Sequence, residues 1–189
     1  MKRKLTLAVA VLAVSAAPIC LASELVLKVN KIDEKGVGVE IGTLTVTDTP
    51  VGLAVKPNLK GLPPGEHGFH VHENSSCAPG EKDGKMVAGL GAGGHYDPAS
   101  TGKHLGPTGK GHLGDLPLLT VDKDGTATKP VTAPNVKVAN LSGRSFVIHA
   151  GSDNYSDQPA ALGGGGARIA CASADTPRAD RKRKPKEPK

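Results

Sequence analysis

Gly65-Glu66-His67-Gly68-Phe69-His70-Val71-His72-Glu73 is the stretch on which the reading of the fold turns. Phe69 and Val71 alternate with His70 and His72, so residues 66–72 read as a strand with both imidazoles on one face. Period two sets those rings about 6–7 Å apart at the backbone, close enough to converge on one ion. A His-x-His pair alone is a modest signal. Here six of the seven histidines fall between His67 and His112, and the seventh, His149, ends the apolar run 145–149. Such clustering asks for a metal.

Strand patterns continue on either side. Leu25, Leu27 and Val29 alternate within 23–30, and Val37, Val39 and Ile41 lead into Leu44 and Val46 within 37–47. The change of phase at Gly42-Thr43 predicts a bulge. Thr49-Pro50 makes a turn before a third strand at 51–57. After 66–72 comes an excursion from 73 to 115, rich in Gly and Pro and without periodicity. Strands resume at 116–121 and, across the turn Asp122-Lys123-Asp124-Gly125, at 126–131 as its hairpin partner. Val136–Leu141 reads as a short strand or turn, 145–149 as a strand, 151–166 as a second long loop, and 167–171 as the closing strand. With 25 Gly and 15 Pro, long helices are disfavoured. The expected class is all-β: an eight-stranded antiparallel Greek-key barrel or sandwich with two long functional loops. A structureless loop of about 40 residues inside a compact domain is usually functional, and this one holds the histidines.

The ends differ from the body. Met1-Lys2-Arg3-Lys4 followed by the apolar stretch Leu5 to Ala17 reads as a secretory signal peptide, residues 1–22, too short to span a bilayer by itself. Cleavage after Ala22 is preferred. A lipoprotein anchored at Cys20 is the second choice, because Ile19 is bulky for that processing site. Export would place the protein in an oxidising compartment outside the cytoplasm. The domain proper is 23–171, and residues 172–189 form a basic tail, Pro- and Lys-rich and expected to be disordered. Lys2, Arg3 and Lys4 account for three of the formal +6 and the tail for a net four, which leaves the body near −1. The basic balance therefore gives the folded body no basis for specific nucleic-acid binding, although the tail can contact anionic surfaces. Removing Cys20 with the leader leaves Cys77 and Cys171. An even count in an exported chain points to a disulfide.

The metal-binding types sort into groups. His70 and His72 share a face, and His149, at a strand end, can bring a third ring to the same ion. Three or four imidazoles without thiolate suit copper or zinc. His104, His112 and Asp115 form a second group, three ligands of the kind that hold tetrahedral zinc. His95, flanked by Gly93-Gly94, is placed to complete either set.

The segments 65–73, Gly93-Gly94-His95-Tyr96-Asp97-Pro98, Gly111-His112-Leu113-Gly114-Asp115-Leu116-Pro117 and Gly163-Gly164-Gly165-Gly166-Ala167-Arg168-Ile169-Ala170-Cys171 resemble the signatures of the copper/zinc superoxide dismutase family. Leu62-Pro63-Pro64-Gly65 and Ser156-Asp157-Gln158-Pro159 resemble its bacterial periplasmic branch. The likeness runs from about Ser23 to Cys171. It implies copper on His70, His72, His95 and His149, and zinc on His95, His104, His112 and Asp115, with the His95 ring bridging the two. It implies that Asp153 hydrogen-bonds a histidine of each site, that His67 ties loops together, and that Cys77 and Cys171 are disulfide-bonded. Arg168, three residues before Cys171, matches the family's active-site arginine, a cation placed to bind the superoxide anion. Lys82 and Lys85 are weaker candidates for steering it. The implied reaction is dismutation of superoxide to dioxygen and hydrogen peroxide, with His95 and Arg168 in catalytic roles. The alternative is a periplasmic protein that buffers copper or zinc without catalysis. The family includes monomers and dimers, so a homodimer stays open.

Overall fold

Alternation of Leu25, Leu27 and Val29 with the outward-facing Val26, Lys28 and Asn30 opens the described chain as β1, Glu24–Asp33. Its partner β2 is Gly36–Thr49, and β3 is Gly52–Leu59. The first turn is closed by Asp33, whose carboxylate accepts from the backbone N–H groups of Lys35 and Gly36. Pro50, with φ preset, makes the second. This is a computed structural model of the protein that describes residues 24–175. The leader expected at 1–22, Ser23 and residues 176–189 of the expected tail lie outside the described residues.

Eight further strands follow: β4 Gly65–His67, β5 Phe69–His72, β6 Gly80–Lys82, β7 Lys85–Val87, β8 Leu119–Val121, β9 Val131–Ala133, β10 Ser145–His149 and β11 Arg168–Ser173. Seven of the eleven form one antiparallel sheet in the order β5-β10-β11-β1-β2-β3-β9. Six steps of about 4.8 Å would put the edges of a flat sheet some 29 Å apart. Yet Phe69 and Val71 of β5 and Ala133 of β9 belong to the same buried cluster as Leu27, Leu44, Val46, Leu53, Val55 and Ile148. The sheet therefore curls around one core, with Phe69 and Phe146 stacked at 5.6 Å inside it. This is the expected all-β barrel architecture.

The structure corrects the strand inventory in several places. The 66–72 strand breaks at Gly68: β4 pairs with β8, and β5 pairs with β10. Gly68 bonds both ways into the second long loop and β10, donating to Gly151 and accepting from His149. The Asp122–Gly125 turn is present, but 126–131 is not the partner of 116–121. Ala127 bridges Leu59 instead, and β9 pairs with β3. Residues 138–140 are a single 3-10 turn. The first long loop, expected to be structureless, carries the β6–β7 hairpin and a 3-10 turn at Leu90–Ala92. In β2 there are two register shifts, not one, each adding a residue on β2: between Gly42 and Glu40, and between Glu40 and Val37. The second turns Val37 and Val39 outward, at 53% and 69% exposure, while Ile41, Leu44 and Val46 stay buried. Finally, the domain does not stop at Cys171. β11 continues to Ser173, Ala172 and Ala174 are buried, and Ala174 N–H donates to the Arg144 carbonyl. Residues 172–174 belong to the core, not to the tail.

Candidate metal centre

The β5–β10 pairing builds the first half of the site. His70 stands opposite Val147, and His72 opposite Ser145. His149 ends β10, where it faces Arg168 across the β10–β11 pair. The first long loop folds back onto β5 through a closed ring of main-chain bonds. Val71 N–H donates to Gly114 O at 2.8 Å, Gly114 N–H to Tyr96 O at 2.8 Å, and Tyr96 N–H to Val71 O at 2.9 Å. Gly114 is required there, since any Cβ would overlap the Val71 carbonyl. The ring sets His95 beside His72 and Asp115 beside His70.

Six of the seven histidines are thereby brought together. His70, His72, His104, His95 and His149 are all at most 6% exposed, as are Asp115 and Asp153. Donor atoms of His70, His72, His95 and His149 lie within 4.8 Å of one another, and so do those of His70, His95, His104 and Asp115. His112 sits at the edge of the second group, its Nδ1 3.4 Å from Asp115 Oδ1. The rings of His70 and His95 stack at 3.9 Å.

Hydrogen bonds decide which nitrogen of each ring remains available. His72 Nδ1 is taken by the Gly93 carbonyl at 3.0 Å and His149 Nδ1 by the Gly166 carbonyl at 3.1 Å. Their Nε2 atoms face each other at 3.4 Å. His70 Nε2 is taken by Asp153 Oδ2 at 2.7 Å, and His104 Nε2 by Asp153 Oδ1 at 2.8 Å. That leaves His70 Nδ1 and His104 Nδ1. His104 Nδ1 lies 2.9 Å from Asp115 Oδ2 but lacks hydrogen-bond geometry with it. His95 Nδ1 lies 3.0 Å from Asp115 Oδ1, and its Nε2 has no partner.

Seven buried side-chain polar atoms among the described residues lack a hydrogen-bond partner. Five of them are His70 Nδ1, His95 Nε2, His104 Nδ1, His112 Nδ1 and Asp115 Oδ2. Buried polar atoms are normally paired, so five orphans in one cluster are donors waiting for ions. The remaining set fits two: Nδ1 of His70 with Nε2 of His72, His95 and His149, and Nδ1 of His95, His104 and His112 with Asp115. The residues present therefore fit copper and zinc, an all-imidazole set and a His₃Asp set.

The electrostatics agree with that division. Burial holds His70 down to about 3 and His149 to about 4, and lowers His72 and His95 as well. These rings are neutral near pH 7, the form that binds metal. His104 behaves oppositely. Burial would lower it, but the adjoining Asp115 carboxylate and the hydrogen bond with Asp153 outweigh burial and raise it to about 9. These pairings, with those of His95 to Asp115 and His70 to Asp153, hold both carboxylates well below their usual range despite burial. The metal-free chain thus keeps a cation between two carboxylates where a zinc ion would take its place.

Other expected residues fall as follows. Asp153 does bond one histidine of each group. His67 is buried and links the carbonyls of Pro63 and His149, outside the metal groups. Cys77 and Cys171 are disulfide-bonded, with Cα atoms 5.8 Å apart. Arg168 donates from its guanidinium to the Gly89 and Gly93 carbonyls. Gly93 O thus serves both His72 and Arg168. Lys82 and Lys85 lie on the exposed β6–β7 hairpin, with no hydrogen bond or ion pair to the centre. Sequence reasoning missed the Gly93 and Gly166 carbonyls, Tyr155 and Asp157. Carbonyl contacts leave no side-chain signature, and the glycine runs around them were the only available signal.

Residues 40–174 match the family described as Copper/zinc superoxide dismutase (SODC). The chain is 56% identical over 151 residues to superoxide dismutase [Cu-Zn] 2 of Salmonella typhimurium, covering 79% of this chain and 87% of that protein. The solved Cu/Zn superoxide dismutase from Brucella abortus superposes with a TM-score of 0.80 at 52% identity, covering 81% of this chain and all of that one. The solution structure of the monomeric copper, zinc superoxide dismutase from Salmonella enterica gives 0.73 at 53% identity, covering 80% and 99%. On sequence, fold and donor set alike, this chain belongs to the copper/zinc superoxide dismutases, oxidoreductases that take copper and zinc and act on superoxide.

Proposed function

We propose that His70, His72, His95 and His149 hold copper, that His95, His104, His112 and Asp115 hold zinc, and that superoxide is dismuted at the copper side. The observation that carries this reading is His95, which turns Nδ1 toward Asp115 and leaves Nε2 without a partner among the copper-side rings. When bound, copper supplies the one-electron couple, and zinc, which has no redox chemistry, fixes the His95 ring.

The chain's own residues do the rest. His95 Nε2 is the ring nitrogen free to take up and give back a proton on the copper side. Asp153 fixes His70 and His104 so that both present Nδ1, a bridge that also sets their tautomers. Arg168 brings a cation to His72 and His149, where its charge adds to the larger effect of burial in lowering both rings. Two of its N–H groups are spent on Gly89 and Gly93, and three remain for an anion. In a body near −1 this local charge attracts superoxide.

Arg168→Gln is expected to lower superoxide removal about ten- to a hundredfold, the range of one charge-assisted hydrogen bond. Metal content should stay the same and the dependence on ionic strength should weaken. Pulsed generation of superoxide beside metal analysis checks this, and unchanged turnover with unchanged salt dependence would remove Arg168 from the mechanism.

Every group in the centre comes from one chain, which supports a working unit of one chain; a homodimer would add no ligand. Export through the 1–22 leader to the periplasm fits the Cys77–Cys171 bond, because disulfides persist in oxidising compartments. The described chain leaves the barrel at Asp175, beyond the end of β11 away from Arg168.

A further inference from the structure

Three alternate residues of the second long loop reach into the first. Asp153 bonds His104 Nε2, as described. Tyr155, held at φ 58°, accepts the Leu118 N–H on its hydroxyl at 3.0 Å. Its ring also fills the space beside Gly106, where a Cβ would overlap it. Asp157 does something different from either. One carboxylate oxygen, Oδ2, accepts the main-chain N–H of His104 at 2.9 Å. The other, Oδ1, accepts the main-chain N–H of Leu162 at 3.2 Å. Among the described residues no lysine, arginine or histidine forms an ion pair with it. Its evident work is to tie two stretches of backbone together, one from each loop.

The stretch it ties in the first loop is the one that carries a zinc-side ring. His104 has only three polar attachments besides its carbonyl. Asp153 holds Nε2, Nδ1 faces Asp115, and Asp157 holds the main-chain N–H. Asp153 fixes how the ring is turned. Asp157 fixes where the ring starts from. Gly163 closes the same corner, since a Cβ there would overlap Asp153 Oδ1 and crowd His104 Nε2.

We propose that Asp157 is a positioning residue for the zinc half of the centre, setting the backbone of His104 from the second loop and so aiming its Nδ1. This rests on the assignment of zinc to His95, His104, His112 and Asp115. Only a carboxylate offers both N–H groups an acceptor. In Asp157→Asn one of the two donors would meet an NH₂ group.

Zinc alone is titrated into the metal-free full chain against a chromophoric chelator, and Co(II) is used as a spectroscopic substitute. Groups that orient a metal ligand typically change affinity 10–100-fold. Asp157→Asn should bind zinc at least about tenfold more weakly and shift the visible Co(II) bands. Copper binding to His70, His72, His95 and His149 should stay within about twofold, because Asp157 touches none of them. Amide exchange on the unmodified metal-free chain gives a second reading that needs no variant: the His104 N–H should be protected before any metal is added. Wild-type affinity and Co(II) bands in Asp157→Asn, or a His104 amide that exchanges like an exposed one, would overturn the inference. Failure of the unmodified chain to take zinc or Co(II) on these ligands would bring down the site assignment and this inference together.

Discussion

Replacing His95 by alanine is expected to weaken zinc binding by roughly 10²–10³-fold and to change the copper site in the same protein. Structural zinc sites are worth about 10–16 kcal/mol, or about 2.5–4 kcal/mol for each of four ligands. That converts to the stated range at 1.4 kcal/mol per factor of ten. The linked effect on copper follows from geometry. His95 Nδ1 lies 3.0 Å from Asp115 Oδ1, while its other nitrogen points away, unpartnered, among His70, His72 and His149. One ring thus lies in both donor groups, and on the proposed assignment its loss leaves each with three ligands. Metal affinities by chelator competition, read beside the copper electron paramagnetic resonance spectrum, check this. A variant that keeps wild-type zinc affinity, or that loses zinc with the copper spectrum unmoved, contradicts a shared ring.

Removing the disulfide, as Cys77→Ser with Cys171→Ser, should cost about 4–5 kcal/mol in the metal-free chain. The two residues are 94 apart in sequence, and closing a loop of about that size restricts the unfolded chain by this amount in the chain-entropy account. Against a typical stability of about 5–15 kcal/mol, that is about a quarter or more of the total. The bond also has a local task. It holds the start of the first loop to Cys171 on β11, and Gly89 and Gly93 of that loop receive the Arg168 side chain. The double variant should therefore lose activity even when folded and metal-loaded. Urea unfolding gives the stability. A shift below about 1 kcal/mol would mean that the loop is held by its other contacts, with the disulfide contributing little.

Much of this centre was legible in the chain because metal ligands are side chains and strands have a fixed period. His70-Val71-His72 needed only alternation, and His149 only its place at a strand end. The 145–149 strand falls where its apolar run predicts. That His104, His112 and Asp115 come together was legible from their chemistry and their spacing in a Gly-rich loop. What could not be read were features written in the main chain. Gly68 interrupts a continuous pattern because its N–H and C=O bond to Gly151 and His149, distant in sequence. The second shift in β2 turned out Val37 and Val39, although their alternation looked like an inward face. The residues 126–131 resembled a hairpin partner by local turn chemistry, but long-range pairing sent β8 to β4. Ala172 and Ala174 are small residues beside a charged tail, so nothing local marks them as core. Asp157 is an ordinary loop aspartate until the fold brings the His104 N–H to it.

The most direct measurement is the rate of superoxide decay with the full chain carrying one copper and one zinc, compared with the same concentration of free copper. The account predicts two metals per chain and decay well above that of free copper, first order in protein and slowed by added salt. Two bound metals with decay no faster than free copper would contradict it, and would leave a protein that stores copper and zinc on the same ligands without turning over superoxide.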